Sequence, residues 1–247
     1  MSKSILIDTT LCTACRGCQV ACKQWHDLPA EKTRNIGSFQ NPQDLSFITY
    51  KLVRMTETEV KGRLQWLFFP DQCRHCIDAP CLETAMDETA VYQDSATGAI
   101  LYTRKTQDLD AGEIANSCPY NIPRDREDGT IAKCDFCNDR VHNGLSPACV
   151  TSCPTGAMTF GDRGDILKAA AKRLDIAKRR FPDARLLDAD EVNVIFLLGH
   201  APDAYVSTAS ARRKPARNVL ARKEPELMNR NAAMRKMMGP LAKLLAG

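Results

Sequence analysis

The sequence lacks the marks of most function classes. No run of 18 apolar residues occurs, so no transmembrane helix is expected. The start, Met1-Ser2-Lys3-Ser4-Ile5-Leu6-Ile7-Asp8, has no long apolar region, so no secretory signal peptide is expected either. There is no G-x-G-x-x-G, G-x-S-x-G or Walker A run, which removes the usual signs of a dinucleotide site, a nucleophile elbow or a phosphate loop. Aromatic residues are only 6% of the chain, and none are interleaved with its basic segment, which argues against nucleic-acid binding. His26, His142 and His200 are scattered and read as hydrogen-bonding or surface residues. His75 lies between two cysteines, where ligation by it would change the cluster type.

What is plentiful is cysteine, with 12 in 247 residues. The chain is too long, and its cysteines too tightly spaced, for the disulfide scaffold of a short secreted domain. At 44% hydrophobic and 26% charged it can bury a core as one large domain or two small ones. The net charge of +4 conceals an asymmetry. From Arg212 to Gly247 ten basic residues face two Glu, a net of +8, and the remainder, with 24 basic and 28 acidic residues, stands at −4.

The first cysteine group, Cys12-Thr13-Ala14-Cys15-Arg16-Gly17-Cys18-Gln19-Val20-Ala21-Cys22, reads C-x2-C-x2-C-x3-C, the run by which bacterial ferredoxins hold a [4Fe–4S] cube. Zinc sites use pairs of cysteines separated by longer spacers. In such runs the fourth Cys serves a different cube, so a partner run is required. Cys134, Cys137, Cys149 and Cys153 form a second complete run with an insertion. Cys73, Cys76 and Cys81 form an incomplete run whose fourth place is Ala85, and Cys118 is the last member of another whose first places fall at Asp108, Ala111 and Ile114.

Exchange of the fourth ligand between paired runs then gives three quartets. Cys12, Cys15, Cys18 and Cys153 make the first. Cys134, Cys137, Cys149 and Cys22 make the second. Cys73, Cys76, Cys81 and Cys118 make the third. A fourth cube would need ligands at Ala85, Asp108, Ala111 and Ile114, and none of the four is a cysteine. Twelve thiolates divide into three cubes without remainder, and full ligation leaves no iron open to substrate. Arg16, Lys23 and Lys133 lie beside the runs, either as counter-charges to the cubes or as solvated surface charges.

The expected fold is α+β, with tandem ferredoxin-like cluster-binding units over 1–206 and a basic tail over 207–247. A strand is expected at 5–8 and a cluster loop with a short helix at 12–26. A long irregular loop follows at 29–46, then a hairpin of 47–54 and 64–69 turning at Lys61-Gly62. Further elements are a helix at 79–86, short strands at 91–92 and 100–102, a helix at 165–181 by its apolar period, and a buried strand at 192–198. A weak amphipathic helix, broken at Gly239-Pro240, is expected near 231–245. Trp25 and Trp66 read as core or interface residues.

With the runs placed, residues 12–25, 66–76, 117–123 and 147–158 carry a resemblance. Over about 4–206 the chain resembles the iron–sulfur (β) subunits of molybdenum or tungsten bis-pterin oxidoreductases, and among them those of soluble formate dehydrogenases of sulfate-reducing bacteria. The resemblance implies a non-catalytic subunit in a heterodimer with a large pterin-bearing chain, which turns over formate and holds a cube of its own. It implies electron flow through the first, second and third quartets to a c-type cytochrome. It also implies a periplasmic location, reached by co-export with a signal-bearing partner, or a cytoplasmic one if the partner has no signal. The same relay could serve a nitrate or sulfur-compound reductase, and a zinc or interaction module is the reading from another class.

Overall fold

The computed structural model describes residues 2–206 together with 209 and 210. The rest of the expected tail, 207–247, lies outside the described residues, as does its amphipathic helix. The described elements are β1 (Lys3–Asp8), α1 (Gly17–Trp25), β2 (Leu52–Val60), β3 (Arg63–Asp71), α2 (Pro80–Ala85), β4 (Val91–Gln93), β5 (Ile100–Tyr102), α3 (Ala111–Ser117), β6 (Arg124–Asp125), β7 (Ile131–Ala132), α4 (Asn138–His142), α5 (Ala148–Thr151), β8 (Met158–Asp162), α6 (Arg163–Lys178), β9 (Arg185–Leu187) and β10 (Val194–Leu198).

The apolar runs of β1 and β10 make them the inner strands of a four-stranded sheet, ordered β8-β1-β10-β9. They pair in parallel, with Ile5 opposite Val194 and Ile7 opposite Phe196. β8 and β9 add antiparallel edges. Successive side chains leave a strand on opposite faces. Ile5, Ile7, Val194, Phe196 and Leu198 therefore face the cysteine loops, packing with Cys18, Phe69, Phe136 and Cys149. Leu6, Ile195 and Leu197 face α6, which answers with Ile166, Ala170 and Ala177 on one helical stripe. Cover on both faces is what a continuous apolar run such as Val194–Leu198 requires.

β2 and β3 form a long hairpin, from Leu52 opposite Asp71 to Val60 opposite Arg63. Its turn lies at Lys61-Gly62, where φ is 53° and 75° as a type I′ turn demands. The first strand begins at Leu52, not at Phe47 as expected, because 47–51 meet only a local bridge between Ser46 and Thr49. The strand then runs on through Thr56-Glu57-Thr58-Glu59, a polar stretch carried by its cross-strand partners Leu64–Leu67. β4–β5 and β6–β7 are separate two-stranded ribbons.

The turn before β5 is tied to the sheet. Burial works to raise the Asp94 carboxyl, but hydrogen bonds from His142, Asn138 and the backbone N–H groups of Thr97 and Ala96 hold it well below the ordinary carboxylate range. Gly98 closes this turn at φ +77°, and a Cβ there would lie 2.8 Å from Asn193 Nδ2. The Asn193 amide also donates to the Gly98 carbonyl at 3.2 Å. Gly98→Ala is therefore expected to cost about 1–3 kcal/mol in denaturant unfolding. An unchanged midpoint would refute the strain.

Candidate cofactor site

Three cysteine loops share one local device. Two residues after the leading Cys stands a residue in the left-handed region: Ala14 (φ 55°), His75 (φ 48°) and Phe136 (φ 68°). Each wraps the chain back so that its own N–H meets the leading sulfur. His75 N–H donates to Cys73 Sγ at 3.4 Å and Phe136 N–H to Cys134 Sγ at 3.5 Å. Ala14 N–H makes the same bond to Cys12. Such donors stabilise negative charge on sulfur. Gly17 lets the first run press against the run of Cys134, Cys137, Cys149 and Cys153, since a Cβ on it would stand 3.3 Å from the Ser152 carbonyl oxygen.

All twelve cysteines are free thiols. Cys73, Cys76, Cys81 and Cys118 line one small cavity, walled by Ala79, Ile100 and Ile122 among others. Cys22, Cys134, Cys137 and Cys149 line a second, with Ile5, Phe136 and Pro147. Cys12 feels the charges of Cys153 and Cys15, and Cys18 those of Cys12 and Cys15, so the remaining four thiols also gather.

Electrostatics favour a soft cation at these places. Burial pushes the Cys18, Cys118 and Cys137 thiols up to about 12, and neighbouring thiolates add to the effect. Burial likewise holds Cys22 and Cys134 well above the ordinary thiol range. Cys153 departs from the pattern. Burial raises it, but the Thr155 hydroxyl and the N–H groups of Met158, Ala157 and Thr155 together bring it below the ordinary value. Sets of four thiols, wholly buried at Cys22, Cys134, Cys137 and Cys149 and partly open elsewhere, with Cys15 exposed, fit [4Fe–4S] clusters, and bound iron supplies the positive charge that buried thiolates need.

The other expected residues fall variously. Arg16 donates to the Phe39 carbonyl at 2.6 Å, and Lys23 to those of Pro29 and Ile48 at 2.9 and 2.7 Å, so both brace the 29–46 loop. Lys133 is not a surface charge, being 7% exposed and lining the first cavity. His75 is wholly buried, and its Nδ1 accepts the Ile100 N–H at 3.0 Å. Burial, with Lys133 nearby, keeps its imidazole neutral. His26 Nε2 stands 3.6 Å from Cys137 Sγ and 3.4 Å from Asp135. That trio could chelate an ion, but it shares Cys137 with the second quartet. His142 meets Asp94 at 2.8 Å, and His200 packs edge-on to Phe181. Trp25 and Trp66 are not core residues, at 43% and 47% exposed. Trp25 instead donates to Asp139 and lies under Arg140.

Hydrocarbon occupies the neighbourhood of the absent fourth cube. Ala85 and Ile114 are buried in one apolar cluster with Ala79, Val91, Ile100 and Ile131. Asp108 ends the 3-10 turn Arg104–Asp108, and Ala111 opens α3. The spacing argument did not find Lys51 and Tyr102, which also border the cavities, because no cysteine period points to them.

Residues 64–163 match the 4Fe-4S dicluster domain, a segment that holds eight of the cysteines. The formate dehydrogenase subunit beta of Megalodesulfovibrio gigas is 57% identical over 215 residues, covering 85% of this chain and all of the relative. The chain belongs to the formate dehydrogenase β-subunit family. Within that family, the formate dehydrogenase 2 subunit beta (cytochrome c-553) of Nitratidesulfovibrio vulgaris Hildenborough is 51% identical, over 85% of this chain and 99% of the relative. The iron–sulfur subunit of the nitrate-inducible formate dehydrogenase of Escherichia coli K12 is 38% identical, over 81% of this chain and 70% of that subunit. Among the described residues no helix is long and apolar enough to cross a membrane.

Proposed function

We propose that this chain is the electron-transfer subunit of a formate dehydrogenase and holds three [4Fe–4S] cubes on the quartets assigned above. The observation that carries the reading is the pair of cavities, each bounded by four thiols from two separate runs. Contacts between the sets support a single file. Cys18 feels Cys149, which joins the first quartet to the second, and Cys134 feels Cys73, which joins the second to the third. Bound cubes supply one-electron storage, and the protein supplies their order, insulation and local charge. Among the described residues none forms a site suited to formate chemistry. That work falls to a large molybdenum or tungsten pterin partner, and a c-type cytochrome is the expected acceptor, in keeping with the name of the Nitratidesulfovibrio relative. Co-export with a signal-bearing partner would place the pair in the periplasm.

The test is the co-purified complex. Iron analysis is expected to give about sixteen irons per heterodimer, twelve on this chain and four in the partner's own cube. Formate should reduce a dye through the pair. About eight or twelve irons in all would sink the three-cube assignment, and a fully metallated pair inert to formate would reject the activity.

A further inference from the structure

Two lysines are buried where the quartets meet, and neither has a carboxylate partner. Lys51 is 2% exposed; it donates to the Pro70 carbonyl at 3.3 Å and to Gln72 Oε1. Lys133 is 7% exposed; it donates to the carbonyls of Ile100 and of Cys134, the latter at 3.1 Å, and lies over the Tyr102 ring. Among the described residues no ion pair includes either one. Other buried cations are treated differently, since Arg74 binds Asp71 and Arg124 binds Asp44. A buried cation without a counter-charge is strongly unfavourable, so something else must neutralise these two.

Their positions name the candidate. Lys51 lines the cavity of Cys22, Cys134, Cys137 and Cys149. Cys12 and Cys18, of the first quartet, also feel its charge. Lys133 lines the cavity of Cys73, Cys76, Cys81 and Cys118 and bonds to the carbonyl of Cys134, a member of the second quartet. Each lysine thus stands at a junction between successive thiol sets.

We propose that Lys51 and Lys133 are counter-charges set between successive cubes, Lys51 between the first and second and Lys133 between the second and third, and that each raises the reduction potentials of the cubes it adjoins. The proposal rests on the three-quartet reading. A fixed positive charge in a poorly screened interior favours the more negative, reduced state of a neighbour. Both lysines are positioning residues, acting on the potential and making no bond to iron.

The test is a redox titration of the full complex, followed by electron paramagnetic resonance, with dithionite supplying one electron to each cube. Lys51→Met is expected to lower the reduction equilibrium constant of two cubes tenfold or more, 59 mV for one electron, and to leave the third unmoved. Lys133→Met should instead move the third cube and spare the first. A Cys118→Ala background identifies the third signal. Lys51→Arg keeps the charge and should keep the potentials. Lys51→Gln, which can still bond the Pro70 carbonyl, is a second neutral variant in case methionine prevents assembly. Unmoved potentials at full iron content would overturn the proposal, and so would equal shifts in Lys51→Arg and Lys51→Met. A wild-type complex short of iron would condemn the quartet reading instead.

Discussion

Replacing Cys118 by alanine is expected to remove one cube and leave the others. Cys118 caps α3, where its own N–H bonds to the Ala115 carbonyl, and its sulfur is buried among Cys73, Cys76 and Cys81. It alone brings a ligand from the far side of that cavity, since the other three belong to one short run. Truncation leaves Cys73 with Cys76 and Cys81, whose thiols burial raises, Cys76 strongly so. Three sulfurs leave one iron of a four-iron cube without a protein ligand. Iron content should fall by about four per complex, and transfer from formate to a protein acceptor should drop by roughly ten- to a hundredfold if the third cube is the exit, the range seen when a metal site loses its support. Dye reduction at the earlier cubes should survive. Unchanged iron would show that Cys118 is not a ligand and would undo the division into quartets.

Such a sharp expectation is possible because ligand spacing is local. The spacing of Cys12, Cys15 and Cys18 points to one centre, and the left-handed residues at Ala14, His75 and Phe136 show how such loops turn back on their leading sulfur. The apolar runs of β1 and β10 and the stripe of α6 were legible for the same reason, with bounds off by a few residues. Long-range pairing was not. β8, Met158–Asp162, carries no strand pattern of its own and becomes a strand by lying against β1. α3 is masked in the sequence because Asp108, Ala111 and Ile114 fall at the ligand places of a cysteine run, although Asp110 caps it by accepting the Glu113 N–H at 3.0 Å. In the sequence Lys51 is one more polar residue of an expected strand. Its burial is decided by what β3 and the second cavity place over it, which no window of sequence contains.

Asp71→Ala is expected to be the most damaging change outside the cysteines. Asp71 is wholly buried at the end of β3, where Oδ2 accepts Arg54 Nε at 2.6 Å and Oδ1 accepts Arg74 Nη1 at 3.0 Å. Arg54 would keep Asp44, which it meets at 2.6 Å and which also binds Arg124 at 3.0 Å. Burial works to raise the Asp44 carboxyl, but those two arginines bring it below its ordinary value. Its contribution is therefore complete above about pH 4 and is lost as pH falls through the lowered value. Arg74 has no such reserve. It is 2% exposed, and its remaining partners are the Gln72 carbonyl and the faces of Phe196, Tyr120 and Phe69, 4.3 to 5.1 Å away. Ring faces return about 2 kcal/mol or more for a desolvated cation, but they do not neutralise its charge. Stripping one partner from a buried pair costs about 3–5 kcal/mol. The loss would not stay local, because the Arg74 carbonyl accepts the N–H groups of Asn193 and Val194 and so anchors the Cys73–Cys76 loop to β10. Denaturant unfolding should show a deficit of about 3–5 kcal/mol in Asp71→Ala. A cycle with Arg74→Met should reveal a coupling of about 2 kcal/mol. Additive single effects would mean that Asp71 and Arg74 stabilise the loop independently, and that the aromatic faces alone suffice to hold the guanidinium beside the thiols of Cys73, Cys76, Cys81 and Cys118.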